Sequence, residues 1–155
     1  MRARLIAAGT RLPDWLNEGF AGYARRFAGF RLELVEIPVP RRAGDRDIAR
    51  ARAGEGRRMQ AAIGPRDYVV ALDVNGRAMT TAELARWLEG RLAGGRDLAF
   101  LIGGPDGLAP ELLERADMKW SLSPLTWPHG LARVMVAEQL YRAHSILQGQ
   151  PYHRG

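Results

Sequence analysis

Two apolar runs, residues 68–72 (YVVAL) and 98–102 (LAFLI), flank a segment that carries a helix-start signature. Continuous apolar runs of this length suit strands that are buried on both faces. Between them Thr80 and Glu83 stand at capping-box spacing, Leu84, Trp87, Leu88 and Leu92 share one helical face, and Gly94 and Gly95 supply a stop. Two buried strands joined by a helix make a right-handed crossover, and hence a parallel sheet. Residues 73–76 (DVNG) have turn chemistry and predict a reversal directly after the first of the two strands.

The same alternation extends outward. Residues 4–8 (RLIAA) and 32–37 (LELVEI) read as strands, and Pro38, Pro40 and Gly44 mark a loop after the second. Between those strands a helix opens at Leu12 and Pro13, with Trp15, Leu16, Phe20, Tyr23 and Phe27 at core spacing. A helix over 47–63 is interrupted by Gly54 and Gly56, each of which costs about 1 kcal/mol relative to alanine. Pro110 suits the first position of a short helix to Ala116, residues 119–123 a last strand, and Pro128 the start of a long helix to about Leu147. With 155 residues and no repeat or linker, the chain is expected to form one α/β domain, which at this size buries about 68–70% of the surface its unfolded form exposes.

Composition removes several function classes. Cysteine is absent, so there is no disulfide framework or thiolate metal site, and His129, His144 and His153 lack the companions of a zinc cluster; no metal is expected. No segment approaches the roughly 18 apolar residues of a membrane span, and the N-terminal apolar run is too short for a secretory signal, so the expected location is the cytoplasm. Net charge is +6, and residues 41–66 hold eight arginines against Asp45, Asp47 and Glu55. Such a stripe fits a polyanion, RNA or DNA, and equally a solvated helix face with ion pairs one turn apart. Lys119 is the only lysine among 23 basic residues, a bias that GC-rich coding explains without invoking recognition.

Candidate chemistry gathers at strand ends. In open parallel sheets ligands bind beyond the carboxyl ends of the strands, where Leu72, residues 102–104 and residues 122–127 fall. The run LIGGPDGL (101–108) is neither G-x-G-x-x-G nor a P-loop, so dinucleotide and nucleoside triphosphate binding are disfavoured; it is either the rim of a pocket or a plain strand-to-helix turn. No G-x-S-x-G elbow is present, and no carboxylate pair stands apart. The C-terminal PYHR combines an aromatic ring able to stack on a base, a titratable imidazole and a phosphate-binding guanidinium, against the usual expectation that termini fray. Leu131, Val134, Met135, Leu140, Tyr141 and Leu147 give the last helix more apolar surface than one small sheet face covers, which core packing or a homodimer contact would absorb.

Taken together, LIGGPDG, SLSPLTWPHGLARVMVAEQLYRA and the terminal PYHR, with AAGTRLPDW near the start and ALDVNG in the middle, closely resemble the ribosomal RNA large-subunit methyltransferase H family of the SPOUT superfamily, over essentially the whole chain. The resemblance implies a cytoplasmic homodimer with a single-domain parallel-sheet SPOUT-type α/β fold over 1–155. It also implies a deep C-terminal trefoil knot, with knot and cofactor site in roughly 68–155. It implies transfer of a methyl group from S-adenosylmethionine to N3 of a pseudouridine in large-subunit rRNA on the assembled ribosome. By position, Leu72, Gly103, Leu122, Ser123, Pro124, Leu125, Thr126 and Trp127 would hold the cofactor, while Arg142, Tyr152, His153 and Arg154 would form the catalytic group near the nucleotide, offered by the second subunit. Two other readings stay open: a ribosome-binding protein without catalysis, and a SPOUT methyltransferase of another RNA.

Overall fold

The computed structural model describes residues 1–39 and 48–154. Asp45, Asp47, Pro40, Gly44 and three of the eight arginines of the basic stripe lie outside those residues, as does the expected first residue of the second helix. Among the described residues five strands form one sheet: β1 (Arg2–Ala8), β2 (Arg31–Ile37), β3 (Tyr68–Ala78), β4 (Leu98–Ile102) and β5 (Met118–Ser121). Their order is β2-β1-β4-β3-β5 and the pairings between them are parallel. The helices of the described residues are α1 (Asp14–Ala24), α2 (Ile48–Ala62), α3 (Thr81–Gly94), α4 (Pro110–Arg115) and α5 (His129–Leu147), with a 3-10 turn at Pro151–Arg154.

Alternation along the strands sorts the core into two layers. Leu5, Val70 and Phe100 point to one face with Phe20 of α1, Leu84 and Leu88 of α3, and Val136 and Leu140 of α5. Ile6, Ala71 and Leu101 point to the other, with Met59 of α2 and Leu112 of α4. Replacing a fully buried leucine such as Leu88 or Leu101 by alanine would cost about 2–5 kcal/mol.

The expected capping box is present: Thr80 Oγ1 accepts from the Glu83 N–H at 3.1 Å and Glu83 Oε2 accepts from the Thr80 N–H at 3.0 Å, while Gly95 closes α3 at φ 74°. The two glycines of α2 do not break it. Gly56 is needed there, because a Cβ would lie 2.8 Å from Ala109 Cβ; the helix gives up propensity to lie closer to the start of α4.

Two expectations are corrected, and the apolar surface of α5 is sorted into a buried face and its flanks. Residues 73–76 do not end β3; Leu72 and Arg77 both pair with Trp120, so DVNG bulges out of a strand that resumes to Ala78. Trp15 is not core but exposed, and Phe27 lies past the end of α1. On α5 the buried face is made of Ala132, Val136, Ala137, Leu140 and Ala143, whereas Leu131, Val134, Met135, Tyr141 and Leu147 are half-buried. Small side chains let α5 approach the sheet, which puts the bulkier ones on its flanks.

Candidate functional site

Beyond the carboxyl ends of β3, β4 and β5 the chain surrounds a cavity of about 690 Å³, the size of a small-ligand pocket. Three segments build its walls. After β4 the chain turns within 104–107, where the Gly107 N–H donates to the Gly104 carbonyl at 3.0 Å and Gly107 takes φ 76°. Gly103 has to be glycine, since a Cβ there would stand 2.5 Å from the Gly107 carbonyl carbon. The β3 bulge brings in Asp73, Val74 and Asn75, shaped by the Asn75 N–H donating to Asp73 Oδ1 at 3.1 Å. The third wall is the segment after β5, where Ser121 Oγ donates to the Ser123 carbonyl and Ser123 Oγ accepts from the Leu125 N–H at 2.7 Å. These hydroxyl bonds shape the segment where no backbone ladder continues.

Of the eight expected cofactor residues, Leu72, Gly103, Leu122, Ser123, Leu125, Thr126 and Trp127 line the cavity, and Pro124 does not. Leu108, Trp120 and Ala132 add apolar wall; Arg52, Asp106 and His129 add polar groups. Sequence reasoning passed over His129 except as a zinc candidate. It opens α5 after Pro128, and burial, then the nearby charge of Arg133, lower its pKa, so the cavity presents a neutral imidazole near pH 7. Arg133 is itself fully buried; it donates to Glu36 Oε2 at 2.8 Å and to the carbonyls of Ala8 and Gly9 at 3.1 and 2.8 Å. An arginine one helical turn after a histidine was the available signal, hidden among many other arginines.

The expected catalytic residues gather elsewhere. Glu138 Oε1 accepts from Arg142 Nε at 2.8 Å and from Tyr152 Oη at 3.3 Å, and Tyr152 Oη also meets Tyr23 Oη at 3.3 Å. The Tyr152 ring lies edge-on to Tyr141, with Arg142 over it at 5.0 Å. Desolvation, the Tyr23 bond and the Glu138 charge raise the Tyr152 pKa far above neutrality, so this phenol donates and does not act as a base. The Glu138 bond raises Arg142 in turn. The tail is therefore a 3-10 turn pinned to α5, not a frayed end. His153 Nδ1 is buried without a hydrogen-bond partner among the described residues, and Arg154 is exposed. Thirteen residues of α5 separate His129 at the cavity from Arg142, roughly 20 Å at 1.5 Å per residue. One chain brings the cavity residues together and the tail residues together, but not the two groups with each other.

Comparison with known proteins now decides the family. The family profile described as "Predicted SPOUT methyltransferase" matches residues 1–153. The chain belongs to the SPOUT methyltransferase family. A relative from Alkalilimnicola ehrlichii named "Ribosomal RNA large subunit methyltransferase H" is 59% identical over 99% of each chain. One of the same name from Pseudomonas fluorescens is 48% identical over 99% of this chain and 100% of its own. These relatives match the resemblance that the motifs carried. Among solved structures, the "Probable Methyltransferase from Bordetella pertussis Tohama I" aligns with TM-score 0.57 and 22% identity over 92% of this chain and 95% of that one. A "probable methylase family protein" from Haemophilus influenzae aligns with TM-score 0.56 and 19% identity over 97% and 69%. At such identities these two bear on the fold alone, which is that of SPOUT methylases. Among the described residues of this SPOUT methyltransferase no cluster of metal-ligating side chains occurs, and no helix is long and apolar enough to cross a membrane.

Proposed function

We propose that this SPOUT methyltransferase transfers a methyl group from S-adenosylmethionine to N3 of a pseudouridine in large-subunit rRNA on the assembled ribosome, and that it does so as a homodimer in the cytoplasm. The observation that carries the reading is the separation of two complementary groups on one helix, a ligand cavity at the start of α5 and an Arg142–Tyr152–His153–Arg154 cluster toward its end. An antiparallel second copy of α5 would set one chain's tail beside the other's cavity. The half-buried Leu131, Val134 and Met135 offer apolar surface for that contact.

The cavity residues fit S-adenosylmethionine. Leu72, Leu122 and Trp127 supply apolar walls for a flat purine, and backbone groups of the segment 122–127 would read its edge. Gly76 packs so closely on the neighbouring strand that a Cβ would stand 2.7 Å from the Lys119 carbonyl carbon, and the C-terminal trefoil knot that the family resemblance implies is part of this proposal. Bound there, the cofactor would supply an already activated sulfonium methyl, so the chain's task is mainly alignment, which is able to contribute several kcal/mol. In this scheme the partner copy's tail acts on the nucleotide: the imidazole of residue 153 assists loss of the N3 proton, and the guanidinium of residue 154 balances the developing negative charge or grips a phosphate. Tyr152 and Glu138 hold that tail in place.

The test is incubation with labelled S-adenosylmethionine and either assembled ribosomes or free rRNA from cells lacking the homologous enzyme, with the product mapped by mass spectrometry. Label on a pseudouridine only in assembled ribosomes supports the proposal in full. Label on another RNA would move the substrate, and absence of both transfer and cofactor binding would leave a ribosome-binding protein.

A further inference from the structure

An acidic residue buried within the most basic part of the chain has no role in the scheme above. Glu55 of α2 is 6% exposed, and its Oε1 accepts from the Gly104 N–H at 3.3 Å. A Cβ added at Gly104 would come within 3.5 Å of Glu55 Oε2, so the carboxylate lies directly against the turn after β4. One turn earlier on the same helix, Arg52 Nη1 donates to the Asp106 carbonyl at 3.3 Å. Beside Glu55, Gly56 leaves no room for a Cβ against Ala109. Positions 52, 55, 56 and 59 share one helical face, and Met59 anchors that face in the core. The helix therefore touches the turn at its entry, its tip and its exit.

The turn needs such support. Within it, among the described residues, the backbone is held by a single two-residue bridge between Gly104 and Gly107, with the Gly107 N–H donating to the Gly104 carbonyl at 3.0 Å, and Gly103, Gly104 and Gly107 leave the free segment many conformations to lose. A tether from the Glu55 carboxyl to the Gly104 N–H therefore restricts the entry of a turn that has little else to hold it. Glu55 does not line the cavity, whereas Gly103, Gly104 and Asp106 do.

We infer that Glu55, with Arg52, is a positioning residue that holds the 103–108 wall of the cavity in its ligand-ready shape and thereby sets affinity for the cofactor; this rests on the cofactor reading of that cavity. Glu55 acts through the Gly104 N–H and touches no ligand.

The experiment is calorimetric titration of S-adenosylhomocysteine, the demethylated product, into the full chain and its Glu55→Leu, Glu55→Gln and Glu55→Met variants, with thermal unfolding recorded on the same samples without ligand. Glu55→Leu keeps volume but removes the acceptor and is expected to weaken binding by roughly 5–20-fold. Glu55→Gln keeps an acceptor oxygen and is expected to restore most of that affinity. In turnover, KM for S-adenosylmethionine rises in Glu55→Leu while kcat at saturation changes much less, a split that general loss of folded protein does not produce. If Glu55→Leu does not fold, Glu55→Met, which also removes the acceptor and touches no cavity surface, decides with the same KM-against-kcat readout, with several-fold weaker binding expected. Wild-type binding with undiminished affinity in the variants overturns this inference alone; no binding by the wild type overturns the cofactor reading and this inference with it.

Discussion

Arg133 Nη1 donates to Glu36 Oε2 at 2.8 Å, an ion pair that fastens α5 to β2 across the carboxyl end of the sheet. The two partners are unequal: the Arg133 side chain is 2% exposed and that of Glu36 35%. Removing Glu36 leaves a buried guanidinium whose remaining partners among the described residues are the Ala8 and Gly9 carbonyls, which accept hydrogen bonds but carry no charge to balance it. Such an uncompensated charge is destabilising, although the exposure of Glu36 already screens part of the pair. Glu36→Ala is expected to lower stability by about 1–3 kcal/mol in urea unfolding, and the Glu36→Ala/Arg133→Met double variant to lose less than the sum of the singles.

Glycine tolerance should differ sharply between the cavity wall and α1. At Gly103 a methyl group would overlap the Gly107 backbone, while at Gly22, inside α1, it would meet nothing within 4 Å. Gly103→Ala is therefore expected to abolish S-adenosylhomocysteine binding in the titration above. Gly22→Ala is expected to raise stability by about 0.5–1 kcal/mol through helix propensity and to leave binding unchanged. Equal effects of the two would contradict the tight packing of Gly103 against Gly107 within the turn.

His144 sets a pH dependence. It is buried on α5, with its ring stacked on Phe30 at 5.8 Å and tilted toward Phe27 at 5.5 Å, and desolvation lowers its pKa below the ordinary 6.5. When a base has a lower pKa folded than unfolded, the unfolded chain binds the extra proton first, so stability falls as pH drops through and below the ordinary value. His129 shifts in the same direction and adds to the slope. Thermal unfolding followed from pH 7.5 to 5.5 is expected to show a falling Tm, and His144→Phe, which keeps an aromatic ring between Phe27 and Phe30, to flatten that fall.

How much of this was legible in the sequence depended on whether a signal was local. The capping box at Thr80, Pro110 at the start of α4 and the β4 run LAFLI are decided within a few residues, and each appears where expected. The DVNG segment misled because turn chemistry does not distinguish a reversal from a bulge; the difference lies in Trp120, which takes two β3 partners and is 48 residues from Leu72. Which residues of α5 form its buried face was not legible for a related reason. Leu131 and Met135 carry more apolar surface than Ala132 and Ala137, but close approach of helix to sheet favours the small residues. Arg133 and Glu55 were invisible as buried charges because their partners come from β1, β2 and the turn after β4.

The proposed proton acceptor makes a kinetic prediction. His153 has one ring nitrogen, Nδ1, buried without a partner among the described residues, and Tyr152 beside it is too weak an acid to serve as a base near neutrality. If residue 153 assists loss of the N3 proton, His153→Ala is expected to slow single-turnover methylation by roughly 10–100-fold and to change its pH profile. An unchanged rate and pH profile would exclude the role.

The exposed side of α2 carries the last prediction. Arg50 and Arg57 stand seven residues apart, two turns along one face, and both are exposed, while Arg52 and Glu55 face the cavity wall. A helix whose inner face holds the proposed cofactor turn and whose outer face is cationic would place rRNA phosphates close to the methyl-transfer site. Phosphate contacts release counterions, so each one lost lowers the dependence of log affinity on log salt by somewhat under about 1. The Arg50→Ala/Arg57→Ala double variant is expected to bind ribosomes more weakly and with a salt slope reduced by between about 1 and 2, while S-adenosylhomocysteine affinity stays at the wild-type value. Ribosome affinity and salt slope that both match wild type would assign these arginines to solvent and leave rRNA contact to other surfaces.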